Sequence, residues 1–355
     1  MRQTPLHGEH LALGGKVVDF HGWALPVQFE GILQEHAHTR TQAALFDCSH
    51  MGEFTVCGAD AIERYEKLLI TDVKTVKVGR GKYGAFLNDD GGIIDDVITM
   101  RLAEDDLYIV TNAGALDEVS ASITHNNPGA RDISDETAKI DIQGPMARDI
   151  LIQAGVTDAA KLKYYEAMRS SWKGTPIVLS RTGYTGELGF ELFMPNEIAV
   201  DMWRDLLGRT PVKPAGLGAR DTLRTEIGMG LSGQDFDTSR TPLEARMGPF
   251  IAWNKEFRGK AALARKRDTG GFPVLTGIRT FDRRSPRHAF EVKHNGAVVG
   301  VVSSGTFGPS MGYGIGLAYV PQNLAAPGTK LTAGPKDLDI ETVELPFYKD
   351  GTCRR

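Results

Sequence analysis

Two consecutive aspartates, Asp95 and Asp96, stand in a stretch of extended character, 93–102, where carboxylates are disfavoured. A second extended stretch, 83–87, precedes it, and the intervening segment 88–92 reads Asn-Asp-Asp-Gly-Gly. Residues of this kind are typical of a tight turn, so the sequence predicts a β-hairpin. Two consecutive aspartates inside a strand therefore need a reason.

The register of this hairpin can be predicted from the position of its turn. An even-length loop places Asp96 opposite Ala85 and diagonal to Tyr83 on the same face, with Asp95 on the other face. A phenol and a carboxylate would then flank a flat niche above an alanine. The alternative is that both aspartates belong to the turn or to a solvated edge, because carboxylates are mostly exposed.

A glycine-rich segment, 181–191, carries Tyr184 and Glu191 among three glycines. Glycines allow a ligand to approach the backbone closely, and a tyrosine there can stack on a planar heterocycle. The Glu191 carboxylate can accept paired N–H donors from a pterin or purine edge. A tight turn between two strands is the alternative, and no Gly-Lys-Ser/Thr of a phosphate loop follows.

Three further polar residues could serve a site or the fold. Arg220, in the helix-entering segment 214–221, can form a bidentate pair with a ligand carboxylate or with an acid of this chain. His21 and His50 lack neighbouring metal-type ligands, so packing or hydrogen bonding is expected for them and no metal site is predicted. The sequence contains no nucleophile-elbow or dinucleotide-binding motif.

Composition limits the class of protein. A length of 355 residues favours two or three domains, and 41% hydrophobic with 24% charged residues is ordinary for a globular chain. The net charge of −4 and the absence of a long basic run argue against nucleic acid as a partner. No signal peptide or membrane span is evident, and three scattered cysteines predict a reduced, cytoplasmic protein.

Three regions follow one another along the chain. Residues 50–130 are expected to form an antiparallel sheet with helices, including one helix over 59–70. A second mixed region begins near residue 137. The segment Gly259–Asp268 is predicted to be a short basic linker helix, and the strand-rich region from about 270 is typical of a β-barrel or jelly roll.

The motifs and their order resemble the glycine cleavage T-protein family from end to end. The matching segments are TPLH (4–7), VDFHGWALPVQF (18–29), LFDCSHMGEF (45–54), YGAFLNDDGGIIDDVI (83–98), IDIQGP (140–145), SRTGYTGELGFE (180–191), PAGLGARDTLRTE (214–226) and LSGQDFD (231–237), followed by PLEARMG, FRGKAAL and VVSSGTFGPSMGYGIGLAYV. Each motif is modest alone, but their spacing over more than 300 residues makes coincidence untenable.

The resemblance implies an α+β fold of three domains arranged as a ring around a folate-binding hole. The first domain would be discontinuous, formed by residues 1–49 plus 131–255. An antiparallel domain, 50–130, would be inserted into it and carry Asp96. Residues 270–355 would form the C-terminal β-barrel or jelly-roll domain.

The resemblance also implies a reaction and its partners. The family takes an aminomethyl group from the dihydrolipoyl arm of H-protein and transfers the methylene to tetrahydrofolate, with release of ammonia. The chain is accordingly expected to be an aminomethyltransferase that uses tetrahydrofolate as co-substrate and needs neither metal nor flavin. A monomer without nucleic-acid or membrane partners is expected.

Position by position, the family's essential aspartate falls on Asp96. The resemblance assigns folate contacts to a larger set of residues: Tyr83, Asn112, Tyr184, Glu191 and Arg220, with Met51, Tyr165 and Arg355 as weaker candidates. The register of the C-terminal tail leaves Arg354 as the alternative to Arg355.

Two positions depart from the family pattern. His21 stands where many relatives carry a small residue, and Pro249 replaces an aromatic residue, although Phe250 and Trp253 are close in sequence. The change at Pro249 leaves one wall of the pocket open to question.

Two other functions fit the same architecture. Folate-dependent demethylases usually depart from the family in the SHMGE or GYTGE motifs, or carry a flavin domain. A non-enzymatic folate-binding protein would carry a cysteine in the segment equivalent to 181–187, where this chain has Thr182 and Gly183.

Overall fold

The computed structural model of the chain describes residues 1–125 and 127–355. Three sheets and one two-stranded ribbon account for the strands of this part of the chain. Its short 3-10 helices are Ala113–Ala115, Ser134–Glu136, Thr157–Ala160, Gly248–Phe250 and Gln322–Leu324. Over the same residues, no helix is both long and apolar enough to cross a bilayer.

The N-terminal segment begins with a helix and the ribbon, and then supplies one strand to the largest sheet. Its elements are α1 (His7–Ala12), β1 (Lys16–Phe20), β2 (Trp23–Gln28), α2 (Ile32–Thr41) and β3 (Ala43–Asp47). Helix α2 buries Glu35, His36 and Thr39 rather than an apolar stripe. Hydrophobic periodicity therefore could not predict this helix.

The second group of elements forms a five-stranded antiparallel sheet in the order β5-β6-β7-β4-β8. The elements are β4 (Gly52–Cys57), α3 (Ala59–Glu66), β5 (Arg80–Leu87), β6 (Ile93–Ala103), β7 (Asp106–Thr111), α4 (Leu116–Thr124) and β8 (Ala130–Asp132). Helix α3 is shorter than the predicted 59–70 and ends at Glu66. At and beyond this end, the carbonyls of Glu66 and Leu69 accept hydrogen bonds from Lys255 Nζ, as carbonyls near a helix C-terminus often do from a basic side chain.

The β5–β6 hairpin has the predicted register. Ala85 pairs with Asp96, and Tyr83 pairs with Ile98, one step along the same face. A shift in register between Phe86 and Leu87 accommodates the turn without altering the pairing beyond it.

The chain then returns to complete the six-stranded sheet, in the order β10-β11-β12-β9-β3-β13. The elements are β9 (Thr137–Gln143), α5 (Ala147–Gln153), β10 (Ala167–Trp172), β11 (Thr175–Ser180), β12 (Gly189–Pro195), α6 (Asn196–Leu207), β13 (Val212–Pro214) and α7 (Leu217–Glu226). Because β3 from the N-terminal segment lies between β9 and β13, the sheet combines two separate stretches of chain, as a discontinuous first domain requires.

The two faces of β9 differ sharply in character. Ala138, Ile140 and Ile142 belong to the main apolar core together with residues of α5 and α6. The alternate residues Lys139 and Asp141 project from the opposite face, since successive side chains of a strand point to opposite sides. Strand β9 therefore separates the core from a polar region.

The last part of the chain is a closed barrel, preceded by the basic helix α8 (Lys260–Thr269). Its strands are β14 (Pro273–Thr280), β15 (Glu291–His294), β16 (Ala297–Gly308), β17 (Tyr313–Pro321), β18 (Lys330–Ala333) and β19 (Leu338–Val343), paired in the order β14-β17-β16-β15-β18-β19. Closure leaves no free sheet edge, and Ile278, Val302 and Val320 lie in the apolar interior.

Arg224 joins α7 to the barrel through buried polar contacts. Its guanidinium lies 2.6 Å from the Asp235 carboxylate and donates to Ser304 Oγ of β16 at 2.8 Å. The Ser303 hydroxyl donates to the other Asp235 oxygen at 2.5 Å. The buried Arg224–Asp235 pair therefore contacts two serines of the barrel strand β16 and contributes to the packing of the barrel against α7.

We expect Arg224→Met to destabilise the fold by about 3–5 kcal/mol, because the Asp235 carboxylate would remain buried without its cation. The free energy of unfolding from urea denaturation measures this loss. The matched control is Arg204→Met, since Arg204 pairs with Glu9 on the surface and should leave stability nearly unchanged. Equal stability of the two variants would contradict the role given to the buried pair.

Candidate active site

A cavity of about 560 Å³ lies where the three sheets meet. The five-stranded sheet contributes Asp96, the six-stranded sheet contributes Glu191, helix α7 contributes Arg220, and β14 of the barrel contributes Leu275. This volume suits a small organic ligand, for which concave sites usually measure about 300–1,000 Å³.

The cavity brings together eight of the residues that the sequence singled out. They are Met51, Tyr83, Asp96, Asn112, Tyr165, Tyr184, Glu191 and Arg220. Arg355 lies outside this lining and is exposed, and its carbonyl accepts a hydrogen bond from Arg181. The Arg354 guanidinium lies 5.9 Å from the ring centre of Tyr164, also outside the lining. The ligand contacts assigned to all these residues stay predictions.

Asp96 lies on β6 with its carboxylate held between two hydrogen-bond donors. Asn112 Nδ2 donates to Asp96 Oδ1 at 2.7 Å, and the Tyr83 hydroxyl makes the second side-chain hydrogen bond. Burial raises the pKa of Asp96 above its usual value, and the two hydrogen bonds oppose this rise. The result is a carboxylate that faces the cavity and binds a proton more readily than an exposed aspartate.

Asp95 points to the other face of β6 and is fully buried. Its carboxylate accepts hydrogen bonds from the backbone N–H and the side-chain amide of Asn112, both at 2.8 Å. Burial, and then the nearby Asp96 charge, raise the pKa of Asp95. Neither aspartate lies in the turn or at a solvated edge, so that alternative is wrong.

Asn112 connects the two carboxylates because of where β7 ends. Thr111 is the last residue of β7 and pairs with Val97, which places Asn112 beside both Asp95 and Asp96. The side-chain amide donates to both acids, and a buried carboxylate pair needs such donors to remain ionised.

Four charged side chains of alternating sign lie at and directly behind the buried end of the cavity. Lys139 Nζ lies 2.6 Å from Asp141 Oδ1 and 3.4 Å from Glu191 Oε1. Asp141 Oδ2 accepts a hydrogen bond from Arg220 Nη1 at 2.9 Å. Burial raises the pKa of Glu191, and the Lys139 charge opposes that rise most strongly. We call Lys139, Asp141, Glu191 and Arg220 the floor quartet.

Aromatic rings line the walls beside these charges. The Arg220 guanidinium lies 5.1 Å from the ring centre of Tyr184, whose hydroxyl donates to the carbonyl of Gly230. Tyr83 and Phe250 meet edge to face with ring centres 5.0 Å apart. Phe250 therefore supplies an aromatic wall next to Pro249, the position that departs from the family pattern.

The glycines of the segment 181–191 serve a purpose that the sequence did not reveal. A Cβ at Gly183 or Gly189 would lie 2.1 Å from the side-chain oxygen of Gln143. Gln143 in turn accepts from Thr185 Oγ1 at 2.9 Å and donates to the carbonyl of Thr182 at 3.2 Å. Because neither glycine carries a Cβ, the buried Gln143 side chain of β9 fits against both of them. Its hydrogen bonds then hold the segment that carries Tyr184.

The two histidines behave as expected from their isolation in sequence. His50 is buried and packs against Phe20, with ring centres 5.4 Å apart, and burial lowers its pKa to about 3. His21 lies beside Phe20 and also lines the cavity. In residues 1–125 and 127–355, no group of three or more His, Cys, Asp or Glu side chains is arranged to hold a metal ion.

Lys139 and Asp141 were not predicted as site residues. A signal was present, because these charged residues alternate with Ala138, Ile140 and Ile142 in a strand whose other face is entirely apolar. Such alternation normally indicates a solvent-facing side. Here that side faces a second layer of protein, so both charges are fully buried.

Comparisons with known proteins agree with this architecture. The GCVT N-terminal domain matches residues 6–255, and the glycine cleavage T-protein C-terminal barrel domain matches residues 274–349. The aminomethyltransferase of Saccharopolyspora erythraea is 40% identical over 98% of both chains. That of Halothermothrix orenii is 39% identical over 98% of this chain and 100% of its own.

A solved structure shows the same likeness in three dimensions. The crystal structure of the glycine cleavage system aminomethyltransferase T from Bartonella henselae covers 99% of both chains, with a TM-score of 0.93 and 31% sequence identity. The chain therefore belongs to the glycine cleavage T-protein family. The predicted fold class and the aminomethyltransferase activity of the glycine cleavage system are thereby confirmed.

We expect Asn112→Ala to raise the pKa values of the Asp95–Asp96 pair, because each ionised carboxylate would lose an N–H donor. Carboxyl-carbon NMR titration of the aspartate-labelled protein measures the change. The control is Asn196→Ala, since the Asn196 amide donates to the Asp135 carbonyl away from the cavity. Identical titration of the pair in Asn112→Ala and the parent protein would refute this role.

Proposed function

We propose that the chain transfers the methylene of an S-aminomethyl-dihydrolipoyl arm, carried by H-protein, to tetrahydrofolate bound in the cavity. The observation that carries this proposal is the Asp96 carboxylate, which faces the same cavity as Glu191 and Arg220. Membership of the glycine cleavage T-protein family supports it.

The floor quartet and the aromatic walls suit a reduced pterin. Its amino-pyrimidinone edge presents adjacent N–H donors, and the Glu191 carboxylate can accept a pair of them. Arg220 and Tyr184 would form one wall of the ring site, and Tyr83 with Phe250 another. Met51 and Tyr165 line the same cavity and would contact the folate at its edges.

The reaction breaks the C–S bond and the C–N bond of the aminomethyl carbon and forms two bonds from that carbon to folate nitrogens. One folate N–H proton ends on the sulfur, which leaves the arm as a dithiol. The other goes to the amino group, which departs as ammonia. Atoms and charges balance without an oxidant or reductant.

Asp96 would act where positive charge develops during this transfer. As the C–S bond breaks, the carbon becomes part of a cationic iminium-like species, and a nearby carboxylate stabilises that charge. Partial burial strengthens the interaction because little water screens it. The raised pKa of Asp96 also suits it to accept a proton from a folate nitrogen.

The proposal includes several further features of the chain. A cytoplasmic monomer, the domain limits 1–49 plus 131–255, 50–130 and 270–355, and the contact between Arg355 and folate stay predictions. The pairing of β3 with β9 supports the discontinuous first domain. The position of Arg355 outside the cavity lining lends no support to its contact.

We expect Asp96→Ala to lower the rate of methylene-tetrahydrofolate formation at least 100-fold, in keeping with the loss of one preorganised charged group. The assay combines purified protein, tetrahydrofolate and aminomethylated H-protein, and follows ammonia and methylene-tetrahydrofolate. Asp90→Ala is the matched control, because Asp90 lies exposed in the hairpin turn. Retained turnover in a folded Asp96→Ala protein would exclude the catalytic role of Asp96. A parent protein that is inactive with aminomethylated H-protein would instead favour a folate-dependent demethylase.

We expect Glu191→Ala and Arg220→Ala each to weaken tetrahydrofolate binding by about tenfold or more, because each removes a charged hydrogen-bonding group from the ligand site. Isothermal titration calorimetry measures the affinity, and thermal melting shows whether the variant is folded. Glu197→Ala on the exposed side of α6 is the control. Unchanged affinity in a folded variant would remove that residue from the pterin site.

A further inference from the structure

Lys139 and Asp141 are charged side chains with no access to solvent, placed directly behind the proposed pterin site. Both are fully buried on β9, and each contacts one ligand-facing member of the floor quartet. The contacts run in sequence from Glu191 to Lys139, then to Asp141, and finally to Arg220. The quartet therefore contains two cations and two anions.

Other titratable groups pack around the quartet, and burial shifts the pKa of four of them toward the uncharged form. Burial raises the pKa of the Cys48 thiol, of the Glu53 carboxyl and of the Tyr165 phenol, and it lowers the pKa of His50. The Lys139 ammonium also lies 5.7 Å from the ring centre of Phe193. Removing one member of the quartet thus changes the net charge of the buried floor by one.

Stability of the fold does not account for these charges. Desolvation of a buried ion pair costs about as much as its attraction returns, and apolar side chains of similar volume often stabilise a protein equally well. The opposite face of β9 already supplies the apolar core. Two charged residues behind a ligand site instead suggest that they control the groups in front of them.

We propose that Lys139 and Asp141 are positioning residues, which hold Glu191 ionised and Arg220 fixed in direction so that both can bind the pterin edge. The inference rests on the proposed function, because it takes Glu191 and Arg220 as the pterin-binding groups. Lys139 supplies the positive charge that keeps Glu191 an acceptor. Asp141 anchors Arg220. Asp141 also holds Lys139, whose ammonium lies closer to Asp141 than to Glu191.

Loss of the Lys139 charge has a direction that can be measured. Burial already raises the pKa of Glu191, and Lys139 is the strongest opposing influence. Without it, Glu191 keeps its proton to higher pH and cannot accept two N–H donors. In the variant, affinity for the pterin should then rise with pH. The affinity of the parent protein should no longer change over the same pH range.

The test is Lys139→Met, with tetrahydrofolate affinity measured by calorimetry from pH 6 to 9. We expect binding about tenfold weaker at pH 7, with recovery toward the parent affinity at pH 9. Lys213→Met, which removes an exposed lysine paired with Glu30, is the matched control. A folded Lys139→Met protein with the parent pH profile would overturn the proposal.

Two further variants keep the test decisive. Lys139→Met/Asp141→Ala removes one cation and one anion, so it preserves the net charge and remains measurable where Lys139→Met alone does not fold. Its affinity should be weaker than the parent's, because Arg220 loses its anchor, and should rise with pH by less than in Lys139→Met, because loss of the Asp141 charge lowers the pKa of Glu191. Parent affinity at every pH would again overturn the proposal. Glu191→Gln separates the two levels of inference: unchanged affinity in that variant refutes the pterin site itself, whereas weakened affinity combined with a parent-like Lys139→Met profile refutes only the role of Lys139.

Discussion

The register of one hairpin determines which carboxylate faces the cavity. Because side chains alternate along a strand, a slip of one residue would turn Asp96 away and bring Asp95 in its place. The pairing of Ala85 with Asp96 prevents this, and the pairing of β6 with β7 brings Asn112 to both acids. The chemistry of the site thus depends on hydrogen bonds between backbones as much as on the aspartate itself.

Charge balance at the buried end of the cavity is the second constraint. Lys139 and Asp141 lie on β9, whose other face forms part of the apolar core. Arg220 lies on helix α7 and donates a hydrogen bond to Asp141. Burial shifts the pKa values of the nearby Cys48 and Glu53 toward their uncharged forms, and each cation of the quartet contacts a carboxylate in a medium of low polarity. Such an environment strengthens the hydrogen bonds that a bound ligand can form with Glu191.

Local sequence signals predicted the hairpin and much of the chain order, but not every role. Turn residues and strand alternation were sufficient for the register, because both act over a few neighbouring residues. The glycines near Tyr184 were interpreted as space for a ligand, yet Gly183 and Gly189 make room for Gln143. Helix α2 has no apolar stripe, so periodicity did not reveal it.

The sequence by itself was sufficient to identify the family, since its motifs follow one another along the chain, and through the family eight of the residues that line the cavity. Only the tertiary structure decided which charged side chains lie behind those residues. Asp141 and Arg220 are 79 positions apart, and they meet because α7 packs on β3, the strand that pairs with β9. The pairing of β9 with β12 places Lys139 beside Glu191, and no pattern within a single segment specifies which charges become neighbours in space.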